Sequence, residues 1–367
     1  MKKYSIILLA FTVVSLLVMS GCKKDKEEEP QKDSIVPAHF RVDIPDAISK
    51  TTTTKSGKGD TLQGNDIYEH LTNFIAIGES ASELVEEIMW AIAEYEINQA
   101  MAFSYTSEED GRAKNCVVVE NSPFDGITWA YQMTIADAAS SSNTDQGKAL
   151  QVFWNVSPVK GIAIIKPYNC NRDENINFPD AMYRIDYSEA GEYGYDAHMI
   201  VSIAGIPLGN PLVEPYSINA LKMFAGKTGD IIDVYGNSNH PNAKFFTDTT
   251  GFDWAFVASG SENSDIGVAE VGLPPNTLDE TNRDVLLKTH SIKNVFTQQI
   301  YEVWPSIDSN TVASYLYNTD APGYFNTYGF IQGGTSPGSE YNTLETSMDA
   351  LTPYNPADIN NLTLNFK

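Results

Sequence analysis

Residues 127–135 read Ile127-Thr128-Trp129-Ala130-Tyr131-Gln132-Met133-Thr134-Ile135. Large apolar side chains fill the odd positions and small or polar ones the even positions, which is the period of a β-strand with one buried face. Leu150, Val152, Trp154 and Val156 repeat the pattern, and Ile162 to Ile165 follows. Tyr183, Ile185 and Tyr187 then alternate with Arg184 and Asp186. Further strands are predicted over 198–204, 221–225, 231–235, 252–259 and 268–271. The links are rich in Gly, Asn, Asp and Ser, and most lack a crossover helix. Parallel pairing needs such crossovers, so the sheet should be mainly antiparallel.

Outward from this block the period changes. Ile67, Leu71, Phe74 and Ile75 share a helical face up to Gly78, and Ser80 with Glu83 has the form of a capping box. Leu84, Val85, Ile88, Met89, Ile92 and Tyr95 continue the stripe. Glu79, Glu83, Glu86, Glu87 and Glu94 lie mostly outside it, which reads as a core helix with a wet acidic face. Beyond the strands, Thr281 with Asp284 marks a helix start, and Ile292, Val295, Phe296, Ile300 and Val303 carry a stripe that Pro305 ends. Phe40 to Ile44 reads as a short strand, and Thr51 to Asp60 as a loop. The expected class is α+β: a large, mainly antiparallel sheet packed on a long N-terminal helix and a second C-terminal helix, in one domain over 39–367.

The N-terminus is of another kind. Lys2 and Lys3 precede an apolar run from Ile6 to Met19, broken by Thr12 and Ser15 and closed by Ser20, Gly21 and Cys22. This is the layout of a secretory signal, and the run is shorter than the roughly 20 residues of a spanning helix. Met19-Ser20-Gly21-Cys22 resembles the lipobox of bacterial lipoproteins, with Met19 where that family usually has Leu. The resemblance implies a signal peptide over 1–21 and acylation of Cys22 by palmitate-like chains. Lys23-Lys24-Asp25-Lys26-Glu27-Glu28-Glu29 is similar to the acidic export stretch of Bacteroidetes-type lipoproteins, which implies display at the cell surface from the outer membrane. Residues 22–38, polar and carrying Pro30 and Pro37, are expected to be a disordered acidic tether. The body resembles no family.

Composition sets limits on partners. The 367 residues carry 48 acidic against 24 basic side chains, a net charge of -24. Nucleic acid is excluded as a partner, because counterion release needs basic clusters. The membrane would be reached through the lipid anchor, since anionic headgroups repel such a body. With Cys22 acylated, Cys116 and Cys170 remain. They can form a disulfide worth about 4 kcal/mol in the chain-entropy model, or Cys116 can stay a buried free thiol in its apolar run.

The catalytic inventory is thin. Gly334-Thr335-Ser336-Pro337-Gly338 matches G-x-S-x-G, but a nucleophile elbow needs the backbone N–H after the serine, and Pro337 has none. His39, His70, His198, His240 and His290 show no metal spacing. The loops Asn143-Thr144-Asp145 and Asn171-Arg172-Asp173-Glu174-Asn175 lack EF-hand order, so neither a metal nor a cofactor is expected. Asp137, Asp186, Asp233 and Glu270 lie in or beside strands, where a glycosidase-like hydrolase would carry its two carboxylates. Trp and Tyr are plentiful in the loops, a composition similar to that of glycan-binding accessory lipoproteins of Gram-negative nutrient systems.

The reading favours a non-catalytic binding or structural lipoprotein whose ligand is a glycan or an envelope protein. A secreted hydrolase is the first alternative, and a carrier of an apolar ligand inside a curved sheet is the second. Replacing Cys22 with Ala is expected to release the protein from the membrane fraction and abolish palmitate labelling. Retention of either would remove the anchor from the account.

Overall fold

The computed structural model describes residues 35–37, 39–50, 66–93, 97, 99–211, 216–243 and 251–367. The signal, Cys22, most of the tether and the loop Thr51 to Asp60 lie outside them. In chain order the longer elements are helix α1 (Asp46–Ser49), helix α2 (Asp66–Ala93) and strands β1 (Met101–Thr106), β2 (Ala113–Phe124), β3 (Ile127–Asp137), β4 (Lys148–Val156), β5 (Val159–Ile165). Helix α3 (Pro167–Cys170), β6 (Met182–Ser188), β7 (Ala197–Ala204), β8 (Ala220–Thr228), β9 (Ile231–His240), β10 (Phe252–Ser261) and β11 (Ile266–Gly272) follow. Helices α4 (Ile292–Val303) and α5 (Ser309–Tyr315), strands β12 (Gly323–Asn326) and β13 (Gly329–Gly333), and helices α6 (Asn342–Asp349) and α7 (Pro356–Asn360) complete the chain. The fold is mostly large antiparallel sheet, thirteen strands among the described residues, with some helices. No helix among the described residues is long and apolar enough to cross a membrane.

The chain divides into two compact units. The first takes Ser80–Tyr193 with residues up to Arg41 and Leu364–Lys367; the second takes Val42–Glu79 and Gly194–Thr363.

In the first unit β1 to β6 pair antiparallel in sequence order, Met133 facing Val152 and Cys116 facing Ile135. Trp129, Phe153, Ile162 and Ile164 build one core face, on which Phe124 stacks over Phe153 with centroids 4.3 Å apart. The C-terminus is tied to this sheet: Lys367 donates its backbone N–H to Gln151 Oε1 (2.8 Å) and its ammonium to Ser122 Oγ (2.6 Å). Buried carboxyls here are neutralised by cations. Asp137 is fully buried and takes a bidentate pair from Arg112 (2.5 and 2.8 Å), while Lys114, 2% exposed, reaches Asp110 (2.9 Å), Asp137 (3.3 Å) and the Asn169 carbonyl (2.9 Å).

In the second unit β7 to β13 again pair antiparallel in sequence order. Strand β10 is buried along its whole length, so both of its faces are covered. On one face Phe74 of α2 meets Trp254 edge-on (5.2 Å), and Trp254 Nε1 donates to the Ile67 carbonyl (3.4 Å). On the other Val257 and Val268 pack with Leu286, Tyr341, Leu344 and Met348.

Two expectations are corrected. The chain does not start a new helix at Ser80, because α2 runs unbroken through Gly78; a Cβ there would lie 2.5 Å from Met223 Cε, so glycine permits close approach to β8. Phe40 to Ile44 is no strand. Its amides bind side chains instead, Phe40 N–H to Glu86 Oε1 (3.0 Å), Val42 N–H to Met199 Sδ (3.4 Å) and Ile44 N–H to Glu79 Oε1 (2.9 Å). Two glutamates assigned to water thus hold backbone, and Glu86 is also paired with Arg41 (3.1 Å).

At Gly161 of β5 a Cβ would stand 2.6 Å from the Phe40 ring and 2.7 Å from the Phe153 carbonyl oxygen. Backbone cannot yield as a side chain tip can, so Gly161→Ala should lower stability by about 1–3 kcal/mol in urea unfolding. An unchanged midpoint would contradict the packing.

Candidate functional site

The second unit carries a groove built from α4, α5 and the hairpin β12–β13. Ser291 caps α4, accepting from Asn294 N–H (3.4 Å), and the buried side chains Ile292, Phe296 and Ile300 hold the helix down. Four-residue spacing then puts Lys293, Thr297 and Tyr301 on another face of the same helix. Asp308 caps α5 through Thr311 N–H (3.0 Å). Val312 and Leu316 are buried, and Tyr317 is left 76% exposed.

The third wall depends on one left-handed residue. Asn318 sits at φ 65, a conformation that asparagine tolerates, and its Oδ1 accepts from Gly333 N–H of β13 (2.8 Å). Gly333 must itself be glycine, because a Cβ would collide with the Asp320 carbonyl. Thr319 Oγ1 donates to the Leu316 carbonyl (2.7 Å), which leaves Asp320 facing Lys293 Nζ at 2.7 Å.

The groove has a volume of about 600 Å³ and borders Thr297, Tyr301, Ser309, Tyr317, Gln332 and Thr335 besides the Lys293–Asp320 pair. A smaller chamber of about 240 Å³ shares that ion pair and adds Glu270, Lys288, Ser291 and Asn294. Every charge on these walls has a partner: Asp320 has Lys293, Lys288 has Asp284 (2.8 Å), and Glu270 has Arg283 (2.7 Å). Burial pushes the Glu270 carboxyl up, and Arg283 acts against that. What remains for a ligand is neutral: hydroxyls, carboxamides and phenol rings.

Other arrangements resemble chemistry without providing it. Ser238 Oγ lies 2.8 Å from His240 Nε2, and His240 Nδ1 lies 3.0 Å from the Tyr216 carbonyl. That carbonyl accepts from Nδ1–H, which leaves Nε2 to accept from the Ser238 hydroxyl, as in a nucleophile–base pair. Yet both residues are fully buried, and burial pushes the imidazole down to about 3. The pair is a satisfied element of the core.

The residues singled out by sequence are dispersed. Asp137 is bound by Arg112 and Lys114, Asp186 by Arg184 (2.7 and 2.8 Å), and Asp233 accepts from Tyr195 (3.0 Å) and Ser347 (2.8 Å). Of the four strand carboxyls Glu270 alone borders the smaller chamber. Cys116 and Cys170 are free thiols, raised by burial to about 11 and about 12, and Cys170 Sγ donates to the Ala149 carbonyl (3.6 Å). Ser336 turns its hydroxyl to the Gly338 carbonyl (3.0 Å), a closed turn. In the two acidic loops Asp145 accepts from Lys166 (2.7 Å), and Asn171 Oδ1 from the amides of Asp173 and Glu174 (3.2 Å each).

No family model, curated protein or solved structure matches the chain. The site therefore rests on its own geometry. Sequence reasoning missed Lys293, Thr297, Tyr301 and Asp320. The first three were signalled by the spacing of residues beside the apolar stripe of α4, whereas Asp320 had no local signal.

Arg283→Met would leave Glu270 half-buried without its cation, at a cost of about 3 kcal/mol in urea unfolding at neutral pH. The loss should shrink as the pH falls and the carboxyl takes a proton. An equal loss at every pH would show that Arg283 acts only by packing.

Proposed function

We propose that the chain is a lipid-anchored, surface-exposed outer-membrane lipoprotein whose groove binds an uncharged glycan without transforming it. The observation that carries the ligand class is the complete internal pairing of the groove's charges, which leaves Tyr301 and Tyr317 rings among neutral donors and acceptors. Sugars present the complementary surface, apolar ring faces edged with hydroxyls, and phenol rings take the faces while Thr, Ser and Gln take the hydroxyls. An acidic polysaccharide would meet a protein of charge -24 with no free cation on the groove wall. The anchor reading rests on the Cys22 motif and its acidic sequel, and the acid excess supports a partner other than nucleic acid.

In fold terms we infer an α+β body, its mainly antiparallel sheet packed on the long helix α2 and on α4 near the C-terminal end. A hydrolase is the second reading, because Glu270 and Asp320 border the same chamber. It is the weaker one. A general acid must hold a proton it can release and a nucleophile must be free to attack, whereas these two carboxyls are engaged by Arg283 and Lys293.

A glycan array probed with the full chain should show binding to neutral oligosaccharides. Tyr317→Ala and Tyr301→Ala should each weaken it about tenfold, near 1.4 kcal/mol, with the bound sugar recovered intact. Release of shortened sugars would favour the hydrolase, and unaltered binding by both variants would place the ligand elsewhere.

A further inference from the structure

Strand β10 carries a carboxyl where both faces of the sheet are covered. Asp253 is fully buried and pairs in register with Asn239 of β9, and Asn237 lies two positions along on the same face. Asn239 Nδ2 donates to Asp253 Oδ1 (3.1 Å), and Asn237 Nδ2 to Oδ2 (3.4 Å). These are the carboxyl's partners. The Oδ1 atoms of both asparagines are buried with no donor within reach.

Among the described residues no counter-charge comes from the elements packed around it. On β8, Lys222 stands opposite Asn237, but its ammonium lies over the Tyr354 ring at 4.4 Å. On β9, Asp233 is bound by Tyr195 and Ser347, and on β11 Glu270 is bound by Arg283. The crossing after β11 brings Asp279 and Glu280, α6 brings Glu345 and Asp349 and α7 brings Asp358, all of them acids, while Lys288 of the turn Asp284–Thr289 is paired with Asp284 (2.8 Å). His240 and the nearby His70 are not among the groups that shift Asp253, which are burial first and then the two asparagines. An ionised carboxylate here would be an uncompensated buried charge.

We propose that a proton held on Asp253 is a structural part of the second unit, and that losing it loosens β9 and β10 from the segment covering them. The neutral acid has an O–H to donate. Turning over the Asn237 carboxamide brings its oxygen to that O–H, which gives one buried acceptor a donor and removes the charge. The geometry is supported by the direction of titration: burial pushes the carboxyl up to about 8 from 3.8. When the proton leaves, the O–H bond breaks, its electron pair stays on the carboxylate, and hydroxide takes the proton to give water. The new charge then sits beneath Leu273–Leu278, which is tied on by Asp253 N–H to the Pro274 carbonyl (2.9 Å), Asn276 N–H to Gly251 (3.0 Å) and Ala357 N–H of α7 to Leu278 (3.1 Å).

The sign follows from linkage. A folded-state value above the unfolded one means stability is full below about pH 4 and is lost as pH rises through about 8. Urea unfolding of the full chain and of Asp253→Asn, from pH 5 to pH 8, isolates this group from the others. The ratio of folding constants, variant over wild type, should rise about tenfold per pH unit up to pH 7 and less steeply beyond, several hundredfold in all. A ratio that does not change with pH overturns the proposal. Should the variant fail to fold, infrared spectra of the wild type with labelled aspartate decide it. A carboxylic-acid carbonyl band persisting at neutral pH and titrating near pH 8 supports the proposal, and full ionisation by pH 6 overturns it.

Discussion

A strand covered on both faces offers no water to a charge. This chain has twice as many acids as bases, yet β10 is such a strand and its neighbours each have a buried face. Each carboxyl that the sheet encloses must therefore be neutralised inside the protein, and the solutions differ by site. Asp137 is met by Arg112 and Lys114, Glu270 by Arg283, and Asp233 by hydroxyls. Asp253 has only amides. Because the 24 basic side chains are few, those drawn into ion pairs are not left to meet a ligand, and this shapes the groove.

The groove itself arises from local rules. Two capped helices, one left-handed asparagine and one obligatory glycine bring α4, α5 and β13 together around the Lys293–Asp320 pair. The aromatic rings flank that pair from α4 and from the end of α5. A wall of neutral donors with phenol faces would hold the proposed sugar by shape and hydrogen bonds rather than by field, and the Lys293–Asp320 pair, half-exposed to water, exerts only a weak field of its own. The Ser238–His240 pair makes the complementary point: correct distances without access or a usable pKa do not make a catalyst.

Much of the sheet could be read from period alone. Trp129, Met133 and Ile135 are buried as their alternation required, and β4 to β11 lie where apolar runs and turn residues put them. Strands β12 and β13 were hidden in an aromatic, glycine-rich stretch, since Tyr324 and Phe325 are both buried and give no alternation. Capping chemistry misled at Ser80, where tertiary packing of Gly78 against Met223 carries the helix onward. The groove was barely legible: Tyr317 fell in the aromatic, turn-rich stretch, and Lys293, Thr297 and Tyr301 went unread beside the apolar stripe of α4. Their meeting with Asp320 depends on the φ of Asn318 and a hydrogen bond to Gly333, fifteen residues away, and pairwise contacts of that kind leave no periodic trace.

If the groove's charges are paired within the protein, a neutral sugar as proposed would bind it with no help from long-range fields. Calorimetric titration of the full chain with an uncharged oligosaccharide at low and high salt tests this most directly. The same Kd is expected at both ionic strengths. An affinity that falls steeply with salt, or that exists only for charged glycans, would contradict it.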